Sequence, residues 1–184
     1  MRIDPKYFNK FVLVAAIAAA ALIAYFTIFN KMSREKDFHC TVQQADSLRY
    51  RPLPVVFNPD TVHLVDFEGN YVVLTFWASW APNINEEHKY LAGLKETYGD
   101  RLEVVAAAVE DTKEDLRSYM RGYDYPFTFV EGNKLFQDLH VPGLPSQIVF
   151  RPDGSILFMN VGFPESTVYL PLEHALKNGR DAQD

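Results

Sequence analysis

Residues Phe11 to Phe29 form an unbroken apolar run of 19 residues without a charge. At 1.5 Å rise per residue a helix of that length spans about 28 Å, close to the hydrocarbon thickness of a bilayer. A cleaved signal peptide would show a shorter apolar core of about 7–15 residues ending at a small-x-small site. Here the run continues through Tyr25, Phe26 and Phe29, so a retained transmembrane helix is expected. Lys31 to Arg51 mixes charges with Gln, Ser and Thr and reads as a tether, extending the membrane helix by a turn or two if helical. Beyond it the pattern changes to short elements. Leu53 to Phe57, with Pro52 before it and Pro54 within it, fits an edge strand. Thr61 to Phe67 alternates like a half-exposed strand, and Val72 to Phe76 and Val104 to Val109 are continuous apolar runs suited to strands covered on both faces. A helix is expected from near Pro82, with Ile84, His88, Leu91, Leu94 and Tyr98 on one face and Gly99 at its end. Further helices fit Lys113 to Tyr123, Lys134 to Leu139, and Ser166 to Asn178 ending at Gly179. Arg151-Pro152-Asp153-Gly154-Ser155 makes a turn between strands Gln147–Phe150 and Ile156–Val161. Strands alternating with helices and closed by a hairpin predict an α/β sandwich around a central mixed sheet. The expected organisation is 1–10 as an N-terminal segment, 11–29 as the membrane helix, 30–51 as the tether and 52–184 as the globular domain.

The segment Phe76-Trp77-Ala78-Ser79-Trp80-Ala81-Pro82-Asn83-Ile84 joins an apolar strand to a helix N-terminus. It resembles the active-site loop Phe-Trp-Ala-x-Trp-Cys-x-x-Cys of the TlpA-like, membrane-anchored thiol-disulfide oxidoreductases of the thioredoxin superfamily. Ala81 and Ile84 stand at the two cysteine positions. The similarity extends over Leu53 to Leu176. It includes Val141-Pro142-Gly143-Leu144-Pro145-Ser146-Gln147-Ile148-Val149-Phe150, which is similar to a family segment whose second proline is cis; by that resemblance Pro145 is the cis residue. Glu87 matches a family Glu three residues after the second cysteine. The resemblance implies a thioredoxin-like sandwich and a domain outside the cytoplasm, with residues 1–10 inside. The family reaction needs a thiolate of lowered pKa and a second thiol to resolve the mixed disulfide. Ala and Ile supply neither.

Charge adds a constraint. Residues 38–184 hold 12 Lys+Arg and 21 Asp+Glu, a net of −9, which repels nucleic-acid phosphates and disfavours peripheral docking on anionic lipid. Arg2, Lys6 and Lys10 precede the apolar run and Lys31, Arg34 and Lys36 follow it, so the positive-inside count is tied. Cys40 is the single cysteine and can form no internal disulfide. In an oxidising compartment it is expected to be buried, capped or paired with another chain.

The candidate chemistry follows from these losses. Around the cis-proline position, active relatives bind an extended segment through the backbone of the preceding residue, here Leu144. Trp80, Ala81, Pro82, Leu144, Pro145 and Phe163 are expected to form an uncharged apolar slot, with Ala81 at an exposed rim, for an extracytoplasmic or membrane protein partner. Ile84 is expected to pack. Ser79 has no His near it in sequence and is no nucleophile candidate. Glu86 suits the helix N-terminus, and Glu87 reads as a polar support. His39-Cys40 lacks the second cysteine of copper-handling relatives, and His63, His88, His140 and His174 show no ligand spacing, so no metal or other cofactor is expected. The reading is a non-catalytic, membrane-tethered binding or accessory subunit of an envelope assembly, vestigial at Ala81 and Ile84. The rival is a thiol-disulfide oxidoreductase or peroxidase-like enzyme using Cys40 or a partner thiol. Removal of the cysteines by mutation is a third reading, against which stands the Ile, an unusual replacement for Cys.

Overall fold

The computed structural model describes residues 5–163 and 166–178. The first element is one continuous helix, α1 (Pro5–Gln44), 40 residues long. Its apolar run is bare in this structure: Phe11 is 72% exposed and Leu13 61%. Such a contiguous apolar surface marks an environment other than water, and α1 is long and apolar enough to cross a membrane.

The same helix does not end in a tether. Phe38 and Val42, one turn apart on α1, are buried in the domain's core, and Leu48 in the following 3₁₀ turn (Asp46–Tyr50) joins them. Arg49 pairs with Glu68 at 3.1 Å and Arg51 with Asp138 at 2.7 Å. Residues 30–51, expected as a short tether that could continue the membrane helix by a turn or two, continue it to Gln44 and also contribute to the core. The i,i+4 pair of apolar residues is a full stripe for one contact face, and charged neighbours hide it in the sequence.

A short antiparallel pair, β1 (Leu53–Pro54) and β2 (Thr61–Val62), opens the rest of the domain. Residues 64–67 form a 3₁₀ turn, not the continuation of a strand. The Asp66 carboxylate accepts the His63 backbone N–H at 2.7 Å and closes the chain into that turn. The central elements are β3 (Tyr71–Trp77), α2 (Ile84–Tyr98), β4 (Leu102–Ala108), α3 (Lys113–Gly122), β5 (Thr128–Glu131), α4 (Asn133–Asp138), β6 (Ser146–Phe150), β7 (Ile156–Val161) and α5 (Leu170–Asn178). The five-stranded sheet runs β5-β4-β3-β6-β7, with β3, β4 and β5 parallel and β6 and β7 antiparallel. The short edge strand β5 is an element the sequence reading did not include. Gly179, the expected helix stop, lies outside the described residues.

Period-two burial assigns the layers. Val72, Leu74 and Phe76 of β3, with Val105 and Ala107 of β4, face the core that receives Phe38 and Val42. Val73 of β3, with Val104 of β4 and Val149 of β6, faces Leu91, Leu94, Leu172 and Leu176 of α2 and α5. Trp77, on that same face of β3, packs with Ile84, Leu116, Tyr119 and Phe129. The β6–β7 turn holds Gly154 at φ +79°, and a Cβ there would lie 2.0 Å from the Arg49 guanidinium carbon. The positive φ is what favours glycine there, since the Arg49 side chain that lies over the turn is flexible and could move aside.

Candidate functional site

Pairing brings three loops to one end of the sheet. Phe76 sits opposite Ser146, and Ser146 opposite Val161. The loop after β3, the loop before β6 and the loop after β7 therefore emerge side by side. Gly162 N–H donates to Pro145 O at 2.7 Å, and the Asn83 side-chain amide donates to Phe163 O at 3.0 Å. The Leu144–Pro145 bond is cis.

Within the first loop, Asp111 accepts from Ser79 twice, from the backbone N–H at 2.7 Å and from the hydroxyl at 2.6 Å. Ser79 is thus a loop anchor. Helix α2 starts at Ile84, two residues later than Pro82 suggests, because Asn83 is left-handed at φ 60°. Asn is among the few side chains that adopt this conformation readily.

The predicted slot residues divide into two groups. Trp80 is 60% exposed, Pro82 is exposed and Leu144 is half-buried. Pro145 and Phe163 are buried, and Ala81 is buried at 6%, which corrects its expected place on an open rim. Ala81 N–H turns back to Ala78 O at 3.0 Å, drawing the residue inward. Ile84 is 2% exposed in the cluster around Trp77. The two cysteine-equivalent positions are therefore both closed off by packing. Among the described residues, the backbone N–H and C=O of Leu144 have no hydrogen-bond partner. They are a free backbone pair, on the loop next to the one that carries the exposed Trp80, that an extended segment could join.

Directly behind the loop lies a buried polar group. Glu87 is fully buried, and its Oε1 accepts from Thr75 at 2.9 Å, Tyr169 at 2.8 Å and Gln147 at 3.1 Å, while Oε2 has no partner. Burial pushes its carboxyl up to about 7, against the opposing pull of the Tyr169, Thr75 and Gln147 hydrogen bonds. Thr75, Gln147 and Tyr169 went unremarked in the sequence, where nothing but their later convergence marks them. His88, one residue on, sits among Trp77, Tyr119, Tyr125, Phe127 and Phe129. Burial lowers it to about 3, so it is a neutral imidazole bonded to the Tyr119 hydroxyl at 2.9 Å. Cys40 is exposed on α1, in the stretch that joins the apolar run to the core, and is no part of this site.

A mixed sheet with a cis-proline loop facing the start of its first long domain helix defines a thioredoxin-like domain. The sequence profile of the AhpC/TSA family matches residues 53–159, and the chain belongs to that family. Its relatives include the thiol-disulfide oxidoreductase ResA of Oceanobacillus iheyensis, 26% identical over 152 residues, covering 80% of this chain and 79% of that protein. The thiol:disulfide interchange protein DsbE of Escherichia coli is 27% identical over 110 residues, 57% of this chain and 58% of that one. Among solved structures, a thiol:disulfide interchange protein DsbE from Chlorobium tepidum superposes with a TM-score of 0.61 at 23% identity, over 68% of this chain and 92% of the other. These are TlpA-like, ResA/DsbE-type proteins, and this chain departs from the family's dithiol motif at Ala81 and Ile84.

Proposed function

We propose that this protein is a membrane-tethered, extracytoplasmic thioredoxin-like domain that binds a protein partner and carries no dithiol chemistry. One observation carries the reading. Both thiol positions are apolar and packed, at Ala81 and Ile84, while the adjoining Leu144 backbone and Trp80 side chain remain open to a partner. A dithiol exchange needs two thiols within bonding reach, and Cys40 supplies one thiol on a different element. The side of the membrane is taken from the family resemblance, since the flanking charges are balanced.

The test uses the full chain. In an insulin-reduction assay with excess dithiol it should give no turnover above the uncatalysed rate. Turnover that disappears in Cys40→Ser would replace this reading with the rival, an enzyme using the helix thiol. For binding, Trp80→Asp is the suitable change, because Ala81 is too buried to carry a carboxylate without harming the fold. A charge at an exposed Trp80 stays hydrated until a partner covers it, at a cost of several kcal/mol for an unpaired charge. Partner capture from solubilised membranes should fall about a hundredfold with an unchanged melting curve, each 1.4 kcal/mol being about tenfold. Equal capture by wild type and Trp80→Asp would make the slot vestigial.

A further inference from the structure

The unbroken helix fixes how close the domain stands to the bilayer. The apolar run ends at Phe29, and Phe38 on the same helix is already in the core with no exposed surface. Nine helical residues advance about 13 Å. The polar headgroup layer on each side of the hydrocarbon is about 5–8 Å thick. Phe38 itself lies beyond that layer, but Pro142 and Val161 of the domain reach back to Thr27, Asn30, Lys31 and Arg34, the helix residues at headgroup depth. There a cleft of about 440 Å³ lies between α1 and the loops of the cis-proline end. Thr27, Asn30, Lys31 and Arg34 form its helix wall, and Pro142 and Val161 its domain wall.

The cleft's charge is opposite to that of the molecule. The chain carries −6 overall. Here two cations face a domain wall without an acid. One carboxylate, Glu35, also lines the cleft and stands 3.8 Å from Lys31, a long contact between exposed groups. Such a contact is worth little. Arg34 has no ion pair or hydrogen bond among the described residues. The Thr27 hydroxyl is already spent on Ile23 O at 2.8 Å, which leaves Asn30, Lys31 and Arg34 as the free donors. A guanidinium and an ammonium beside an amide suit a phosphodiester, whose oxygens accept from the guanidinium fork.

We propose that the cleft between the anchor helix and the cis-proline face seats the headgroup phosphate of an anionic phospholipid, held by Arg34 and Lys31. Soluble anions are the poorer occupants, because they must approach past a domain of net −9. Lipid phosphate is already present at the depth of the cleft. A seated headgroup would hold the cis-proline end of the domain against the membrane surface. The inference rests on α1 spanning the bilayer, and the experiment keeps that premise separate.

The full chain is reconstituted in nanodiscs of phosphatidylcholine with a minor fraction of phosphatidylglycerol, and lipid retained after detergent exchange is identified by native mass spectrometry. One phosphatidylglycerol per chain is expected, retained at least tenfold over phosphatidylcholine. Arg34→Ala with Lys31→Ala should abolish that preference, while the double variant stays in the carbonate-washed membrane pellet. Lys36→Ala removes one charge from the same helix outside the cleft and should keep the preference. Equal retention of both lipids, equal loss in Lys36→Ala, or displacement by millimolar inorganic phosphate would each overturn the proposal. Release of the unmutated chain from carbonate-washed membranes would remove the spanning premise and the proposal with it.

Discussion

At the scale of the residue, Glu87 has the clearest measurable consequence. An unfolded glutamate ionises near 4.5, and burial raises Glu87 to about 7. Below pH 4.5 both states hold the proton and ionisation does not distinguish them. From 4.5 to 7 the unfolded chain ionises first, so stability falls as pH rises, and above 7 the penalty levels off. The shift corresponds to about 3 kcal/mol. Glu87→Gln keeps an acceptor for Thr75, Gln147 and Tyr169 and cannot ionise. Its stability relative to wild type should therefore rise by about 2–3 kcal/mol between pH 4.5 and 8, measured by urea unfolding of residues 31–184. His88 acts at the opposite end, with stability lost as pH falls below 6.5 towards its folded value of about 3, but it is common to both proteins and cancels in the difference. Parallel stability profiles for wild type and Glu87→Gln would show that Glu87 is ionised in the fold at ordinary pH. The missing cysteines at Ala81 and Ile84 were legible in the letters themselves. The depth of Ala81 was not, because it depends on the turn back to Ala78, and neither were the partners of Glu87, which come from β3, β6 and the turn before α5.

At the scale of the element, the join between α1 and the sheet decides where the folding unit starts. Phe38, Val42 and Leu48 lie in the same core as Leu74, Phe76 and Ile148. Phe38→Ala should cost about 3–5 kcal/mol, the usual loss for truncating a buried Phe. A chain begun at residue 52 loses all three residues together with the Arg49–Glu68 and Arg51–Asp138 pairs, and should unfold or aggregate where one begun at residue 31 melts cooperatively. Equal melting temperatures for the two would return residues 31–51 to the role of tether. The sequence showed the buried face of α2 well, because Ile84, His88, Leu91, Leu94 and Tyr98 repeat at helical spacing over four turns. It hid the docking part of α1, where two apolar residues stand among charges. It also hid β5, whose four residues follow Pro126 and are too few for alternation to stand out. Thr61 to Phe67 alternated like a strand, yet one carboxylate–backbone bond at Asp66 was enough to fold its second half into a turn.

At the scale of the whole molecule, the long apolar helix, a candidate membrane span, runs without a break into the globular domain. Cys40 offers a test of this, since it is the single cysteine and is exposed on α1. It lies 11 residues beyond Phe29, so a rigid helix places it at most about 16 Å above the hydrocarbon edge, less if the helix is tilted. A fluorophore on Cys40 in reconstituted bilayers, with an acceptor on the lipid headgroups, should report one narrow distance. A flexible segment would leave Cys40, 11 residues along it, at an r.m.s. distance of about 17–20 Å with a wide spread, and a broad distribution would refute the rigid join. The same thiol reads orientation. A membrane-impermeant maleimide applied to intact spheroplasts should modify Cys40 fully, because an extracytoplasmic domain carries the distal part of α1 with it. Modification only after lysis would turn the molecule over, with the domain, the lipid cleft and the Trp80 face all on the cytoplasmic side.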